Sequence, residues 1–175
     1  DVYKRQLLQD FTNMSPQADH TGLDNTDRKI LQALQLDASY SVSRLADEIG
    51  LSKSACWRRI QALEEKGVIT ARVALLDQHK LGLDLTVFTA IRTIHHTQDW
   101  YDNFSSVVTA MPNVMEVHRM SGDIDYLMRA VVPDLRSSDA RYRDLIKNID
   151  LSDVSSSFSM ETIKYSTSLP LDYLR

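Results

Sequence analysis

The sequence predicts an α+β protein of two units. The first is a helical N-terminal unit carrying a helix-turn-helix with a small wing, and the second has the order βαββαβ. Two observations carry this. Apolar residues recur at three- to four-residue spacing from Leu23 to about Arg72, the period of an amphipathic helix. From about Leu85 the texture changes to β-branched and aromatic runs separated by two helical stretches. The five glycines and four prolines lie far apart, and their positions mark element ends.

In the first unit, Asp24 caps a helix whose apolar residues Ile30, Leu31 and Leu34 form one face. Ser41 or Ser43 caps a second helix, with Leu45, Ala46 and Ile49 inward and Gly50 at its end. Ser52 caps a third, which runs through Glu65 and stops at Gly67. Between the second and third helices there is room only for a tight turn, which is the helix-turn-helix arrangement. The β-prone segment Val68 to Leu76 supplies the wing.

The second unit opens with a strand from Leu85 to His95, followed by a helix from Trp100 to Met111 that ends at Pro112. Val114–Met120 and Tyr126–Val132 flank Gly122 as a hairpin. A helix over roughly 138–149 precedes a strand alternating through Val154, Ser156, Phe158, Met160, Thr162 and Lys164. This is the ferredoxin-like split unit. The expected divisions are an extension at 1–22, the helix-turn-helix unit at 23–72, a linker at 73–84, the βαββαβ unit at 85–168, and a tail at 169–175. Met14 is the first methionine, so residues 1–13 are read as lying outside the fold.

Composition narrows the function. The chain of 175 residues is 43% hydrophobic and 25% charged, the profile of a soluble globular protein, and it holds no run of about 18–20 apolar residues. A cytoplasmic location is the expectation, with no membrane partner. The single cysteine, Cys56, excludes an internal disulfide and a thiolate zinc cluster within one chain. With a net charge of −4 the molecule as a whole does not attract nucleic acid, so any DNA-binding charge must be local.

The third helix carries that charge. At 100° per residue, Ile60 and Leu63 fall within about 40° of Cys56, forming a buried stripe with it. The opposite face bears Ser54, Trp57, Arg58 and Gln61, with Ser52 and Lys53 at its start, and this is the face to meet a major groove. From Ser52 to Arg72, five cations (Lys53, Arg58, Arg59, Lys66 and Arg72) stand against Glu64 and Glu65, a local surplus of +3. Arg58 and Gln61 suit base edges, because arginine bridges guanine and glutamine bridges adenine, while Lys53 and Ser54 suit phosphates. Arg59 lies only about 60° from the stripe and is read as an ion-pair partner, with Asp27 as the candidate, rather than as a base reader.

Together these residues resemble the Lrp/AsnC (feast/famine) family of transcription regulators. The resemblance is carried by Leu23 to Leu31, by Leu51-Ser52-Lys53-Ser54 with Arg59-Ile60, Leu63-Glu64 and Gly67-Val68-Ile69, and by Ser121-Gly122-Asp123-Ile124-Asp125-Tyr126. It covers about residues 23–171. His95-His96, Trp100-Tyr101, Asp125 to Arg129 and the stretch from Leu151 to Leu171 are similar to the branch containing cysteine-responsive and branched-chain keto-acid regulators. The resemblance implies a winged helix-turn-helix joined to a ferredoxin-like (ACT-like) sensing domain. It also implies dimers paired through their sheets, assembly to tetramers or octamers, and a free amino acid, cysteine or branched-chain, as effector. No further cofactor is implied.

The effector residues are then Ser121, Gly122, Asp123, Asp125 and Tyr126. Gly122 permits a backbone geometry closed to other residues, amides freed in such a turn hold a ligand carboxylate, and Asp123 or Asp125 takes the α-ammonium. An ordinary hairpin turn is the competing reading of the loop on its own. No catalytic residue is assigned, because nucleophile elbow, phosphate loop and dinucleotide fingerprint are all missing from the sequence. No metal site is assigned either. His95 and His96, as consecutive strand residues, would face opposite ways, and His20, His79 and His118 are scattered without ligand partners. The alternative function is an oligomeric amino-acid sensor that acts through protein partners and has no duplex affinity.

Overall fold

A computed structural model describes residues 22–173. The expected extension, apart from Gly22, and the last two residues of the tail lie outside them. The described residues fall into two compact units, one of 22–75 with 163–173 and one of Leu76–Thr162.

In the helical unit each helix begins where a side chain satisfies free backbone amides. Helix α1 (Asn25–Leu36) starts with a reciprocal capping box: Asp27 N donates to Asp24 Oδ1 at 2.8 Å, and Asp24 N donates to Asp27 Oδ2 at 3.2 Å. Of the two candidate caps for α2 (Val42–Ile49), Ser41 is the one used, accepting from Arg44 N at 3.2 Å. Gly50 ends α2 at φ 73°, a left-handed conformation that favours glycine, and turns the chain into α3 (Lys53–Glu65). The core holds Ile30, Leu45, Ala46, Cys56, Ile60 and Leu63, so the stripe expected on the third helix is buried.

The segment proposed as the wing is an irregular run, not a strand. Val68 N and Ile69 N fold back to the Leu63 carbonyl at 2.9 and 3.1 Å, extending the end of α3. Val73, Leu75 and Leu76 are β-prone but exposed, and no strand among the described residues pairs with them. The tail also differs from expectation, because residues 163–173 belong to the helical unit. Leu169 N donates to Gln35 Oε1 at 2.6 Å, Gln35 Nε2 donates to the Leu169 carbonyl at 3.2 Å, and Leu171 packs on the helical core.

The second unit is β1 (Leu85–Arg92), α4 (Gln98–Ala110), β2 (Val114–Arg119), β3 (Tyr126–Val132), α5 (Leu135–Asn148) and β4 (Asp153–Phe158). The sheet order is β2-β3-β1-β4 with antiparallel pairing throughout, as the βαββαβ order requires. Val87, Thr89 and Ile91 of β1 and Tyr126, Met128 and Ala130 of β3 point to one face, where Phe104, Val108, Leu145 and Ile149 complete the core. The other face carries Phe88 and the Arg129–Glu116 ion pair at 2.6 Å.

Three expectations need correction here. Strand β4 stops at Phe158, opposite Val87: Ser159 N still donates to the Thr86 carbonyl at 2.9 Å, but the expected alternation through Met160, Thr162 and Lys164 runs on outside the strand, with Met160 exposed. Strand β1 ends at Arg92, so His95 and His96 lie in a loop and the strand-face reason for separating them does not apply. The histidines do have carboxylate neighbours: His95 Nε2 lies 2.9 Å from Asp150 Oδ2, His79 Nδ1 lies 3.1 Å from Asp84 Oδ1, and His118 Nε2 lies 3.4 Å from Glu116 Oε2. His20 is outside the described residues. Among the described residues no cluster of three or more His, Cys, Asp or Glu could hold a metal ion, and no helix is long and apolar enough to cross a membrane.

Candidate nucleic-acid interface and ligand loop

Burial of Cys56, Ile60 and Leu63 fixes the rotation of α3 and thereby turns the opposite side to solvent. Burial also pushes the Cys56 thiol up from its ordinary pKa, as befits a small core residue. Ser52, Lys53, Ser54, Trp57 and Arg58 are exposed, and Gln61 is half-buried. The Ser52 hydroxyl accepts from Ala55 N at 3.2 Å and lies 3.3 Å from the Ser54 hydroxyl, so Ser52 spends its oxygen on the helix start. Lys53 and Arg58 make no ion pair among the described residues. Gln61 is less available than its spacing suggests, because its Nε2 donates to Glu64 Oε2 at 3.0 Å.

Charge on this helix is sorted by internal pairing. Arg59 Nη1 lies 2.8 Å from Asp27 Oδ1 and 2.7 Å from Asp24 Oδ2, and these carboxylates raise the guanidinium further above its ordinary pKa. Asp24 is held below the usual carboxylate range, first by the Asp27 amide and then by Arg59. Arg72 Nη2 pairs with Glu64 Oε1 at 2.7 Å. Arg59 and Arg72 are therefore neutralised within the unit, which leaves Lys53, Arg58 and Lys66 as cations of the segment with no ion pair among the described residues.

Sequence reasoning did not single out Val42, which opens α2 and borders, with Lys53, Ser54 and Trp57, an apolar concavity on this face. Trp57 remains 53% exposed there. An apolar residue directly after a serine cap was the only available signal.

The loop between β2 and β3 brings the remaining site residues together. Ser121, Gly122 and Asp123 are exposed, and Gly122 has φ 137°, a conformation L side chains rarely adopt. Met120 N donates to the Asp125 carbonyl at 2.8 Å and closes the hairpin. Asp125 is half-buried, and its Oδ2 accepts from Thr93 N at 2.9 Å, so this carboxylate also anchors the chain leaving β1. Arg92, which sequence reasoning missed, holds the loop from beneath, its Nε donating to the Asp123 carbonyl at 2.7 Å.

Tyr126 differs from the other loop residues. It is 7% exposed, with its ring centroid 4.5 Å from Phe104 and 5.8 Å from Trp100, and burial raises its phenol pKa. It forms part of the floor of a groove of about 380 Å³ between α4 and β2, whose sides include Tyr101, Ser105, Met115 and Arg119.

Residues 23–70 match the family model described as winged helix-turn-helix DNA-binding, and residues 86–169 match that of the Lrp/AsnC ligand binding domain. The chain is 48% identical over 151 residues to the DNA-binding transcriptional activator DecR of Escherichia coli (strain K12), covering 86% of this chain and 99% of that protein. It is similar, at 54% identity and a TM-score of 0.85, to the crystal structure of an AsnC family transcriptional regulator from Agrobacterium tumefaciens, covering 87% of this chain and 100% of that one. A transcriptional regulator of Neisseria meningitidis solved with L-Met matches at 34% identity and a TM-score of 0.83, over 87% and 99% of the two chains. An outward-facing helix-turn-helix and a βαββαβ ligand-binding unit, joined in this order and matched over nearly the full length of these relatives, place the chain in the Lrp/AsnC family of DNA-binding transcriptional regulators.

Proposed function

We propose that the protein reads duplex DNA through Lys53, Ser54, Trp57, Arg58 and Gln61, with Ser52 setting the start of the reading helix. A free amino acid held at Ser121, Gly122, Asp123 and Asp125 modulates that binding. The protein works in the cytoplasm on genes of amino-acid metabolism. The observation that supports this most strongly is the contrast between adjacent arginines: Arg59 is locked to Asp24 and Asp27, while Arg58 projects from the same helix with no ion pair among the described residues. Uncompensated cations on an exposed helix face are what phosphate neutralisation needs, and an arginine among them suits a guanine edge.

The effector is a small amino acid, with cysteine and the branched-chain amino acids as first choices. Loop amides receive its carboxylate, and Asp123 or Asp125 receives its ammonium group. The L-Met complex of the Neisseria meningitidis regulator supports an amino-acid ligand for this domain type. Self-association to dimers, and to tetramers or octamers, lets two reading helices engage two half-sites, and the effector acts by binding one assembly better than another. A gel-shift titration of the promoter of its own operon at two salt concentrations tests this. Binding that weakens as salt rises supports the regulator, and no duplex affinity at either salt favours a sensor acting through protein partners.

A further inference from the structure

Trp57 is an expensive residue to leave in water. It stands 53% exposed on α3, while the apolar residues of the opposite face, Cys56, Ile60 and Leu63, are each at most 2% exposed. Its concavity is walled by Val42 from the start of α2 and rimmed by Lys53 and Ser54. The carboxylates of α3, Glu64 and Glu65, both sit in its last turn, away from this end. The patch is therefore apolar at its centre and cationic at its margin.

That combination selects its occupant. Base edges in a major groove present donors and acceptors, with one apolar exception, the C5-methyl group of thymine. A cationic margin suits the flanking phosphates, and an apolar centre suits the methyl. We infer that Trp57 and Val42 form a thymine-methyl pocket, so that the protein requires a thymine at one position of each half-site, a step that rests on the duplex-binding reading above. Arg58 supplies hydrogen-bond readout on the same face, whereas Trp57 supplies readout that no donor or acceptor can mimic.

The test uses the full chain and a duplex recovered by selection from a random library, made once with thymine and once with deoxyuridine, which lacks only the methyl. Losing one buried methyl weakens binding about four-fold per contacted thymine, equivalent to about 0.8 kcal/mol. Wild type binds the uridine duplex weaker by at least that factor, and restoring thymine at a single position per half-site recovers the loss. The ratio is the same at two salt concentrations, because the contact is apolar, while overall affinity falls with salt. Trp57→Ala binds both duplexes alike, and Trp57→Leu keeps part of the discrimination.

Equal binding of the two duplexes by wild type overturns the inference while leaving duplex binding intact. So does an undiminished ratio in Trp57→Ala. If Trp57→Ala leaves DNA binding unchanged but alters the assembly mass, the patch is a contact between copies. If selection enriches no duplex, both the inference and the duplex-binding reading fall.

Discussion

Arg59 and Asp27, 32 residues apart in the chain, are joined at 2.8 Å between Nη1 and Oδ1, tying α3 to the first turn of α1. The Asp27 side chain is only 12% exposed, so it depends on this partner. Truncation in Arg59→Ala removes the partner and leaves the carboxylate under-satisfied, at a cost of about 1–3 kcal/mol. Urea unfolding of the variant is expected to show a midpoint shifted down by that amount with an unchanged slope. An unaltered midpoint would mean that solvent replaces the guanidinium without penalty.

The same cluster predicts an acid limb. Asp24 lies below its ordinary 3.8 because the Asp27 amide and then Arg59 favour the ionised form, and Glu116 lies below its ordinary 4.5 because Arg129 does. A carboxylate whose folded-state pKa is depressed adds stability above its unfolded value and loses it as pH falls through the folded one. Stability governed by these groups is therefore level between about pH 7 and 5 and declines below about pH 4. Asp24→Asn keeps a capping oxygen but not the charge, and its urea midpoint is expected to fall less steeply with acid than that of wild type.

Asp125 serves the loop twice, as a proposed ligand group and as the acceptor for Thr93 N. Replacement by alanine leaves a buried amide unsatisfied and costs about 1–3 kcal/mol of stability. It abolishes the calorimetric heat of amino-acid binding while DNA affinity stays near wild type. Asp125→Asn, with an oxygen for Thr93 and no charge for an ammonium, recovers the stability but not the heat. Full amino-acid affinity in Asp125→Asn would assign the ammonium to Asp123.

Features set by neighbouring residues were legible in the sequence. The caps Asp24 and Ser52, the stop at Gly50, the buried stripe Cys56-Ile60-Leu63 and the hairpin about Gly122 each need only a few consecutive side chains. Features that depend on a distant partner were not. Val73, Leu75 and Leu76 look like strand residues but pair with no strand among the described residues, and Met160 continues an alternation past the end of β4, where its side chain is exposed. The return of the tail to the helical unit brings Leu169 onto Gln35, more than a hundred residues earlier, and Leu171 onto the core. In the site, Arg59 was assigned correctly from its angle on the helix. The grip of Glu64 on Gln61 and the second task of Asp125 became visible only with the partners in place.

Adjacent arginines with opposite roles allow the most direct test. DNA affinity and unfolding free energy are measured side by side for Arg58→Ala and Arg59→Ala. Arg58→Ala is expected to bind the selected duplex about ten- to hundred-fold more weakly, to discriminate less between sequences, and to unfold like wild type. Arg59→Ala is expected to lose stability but, while folded, to retain most of its affinity. Wild-type affinity and selectivity in folded Arg58→Ala would contradict the assignment of this helix face to DNA.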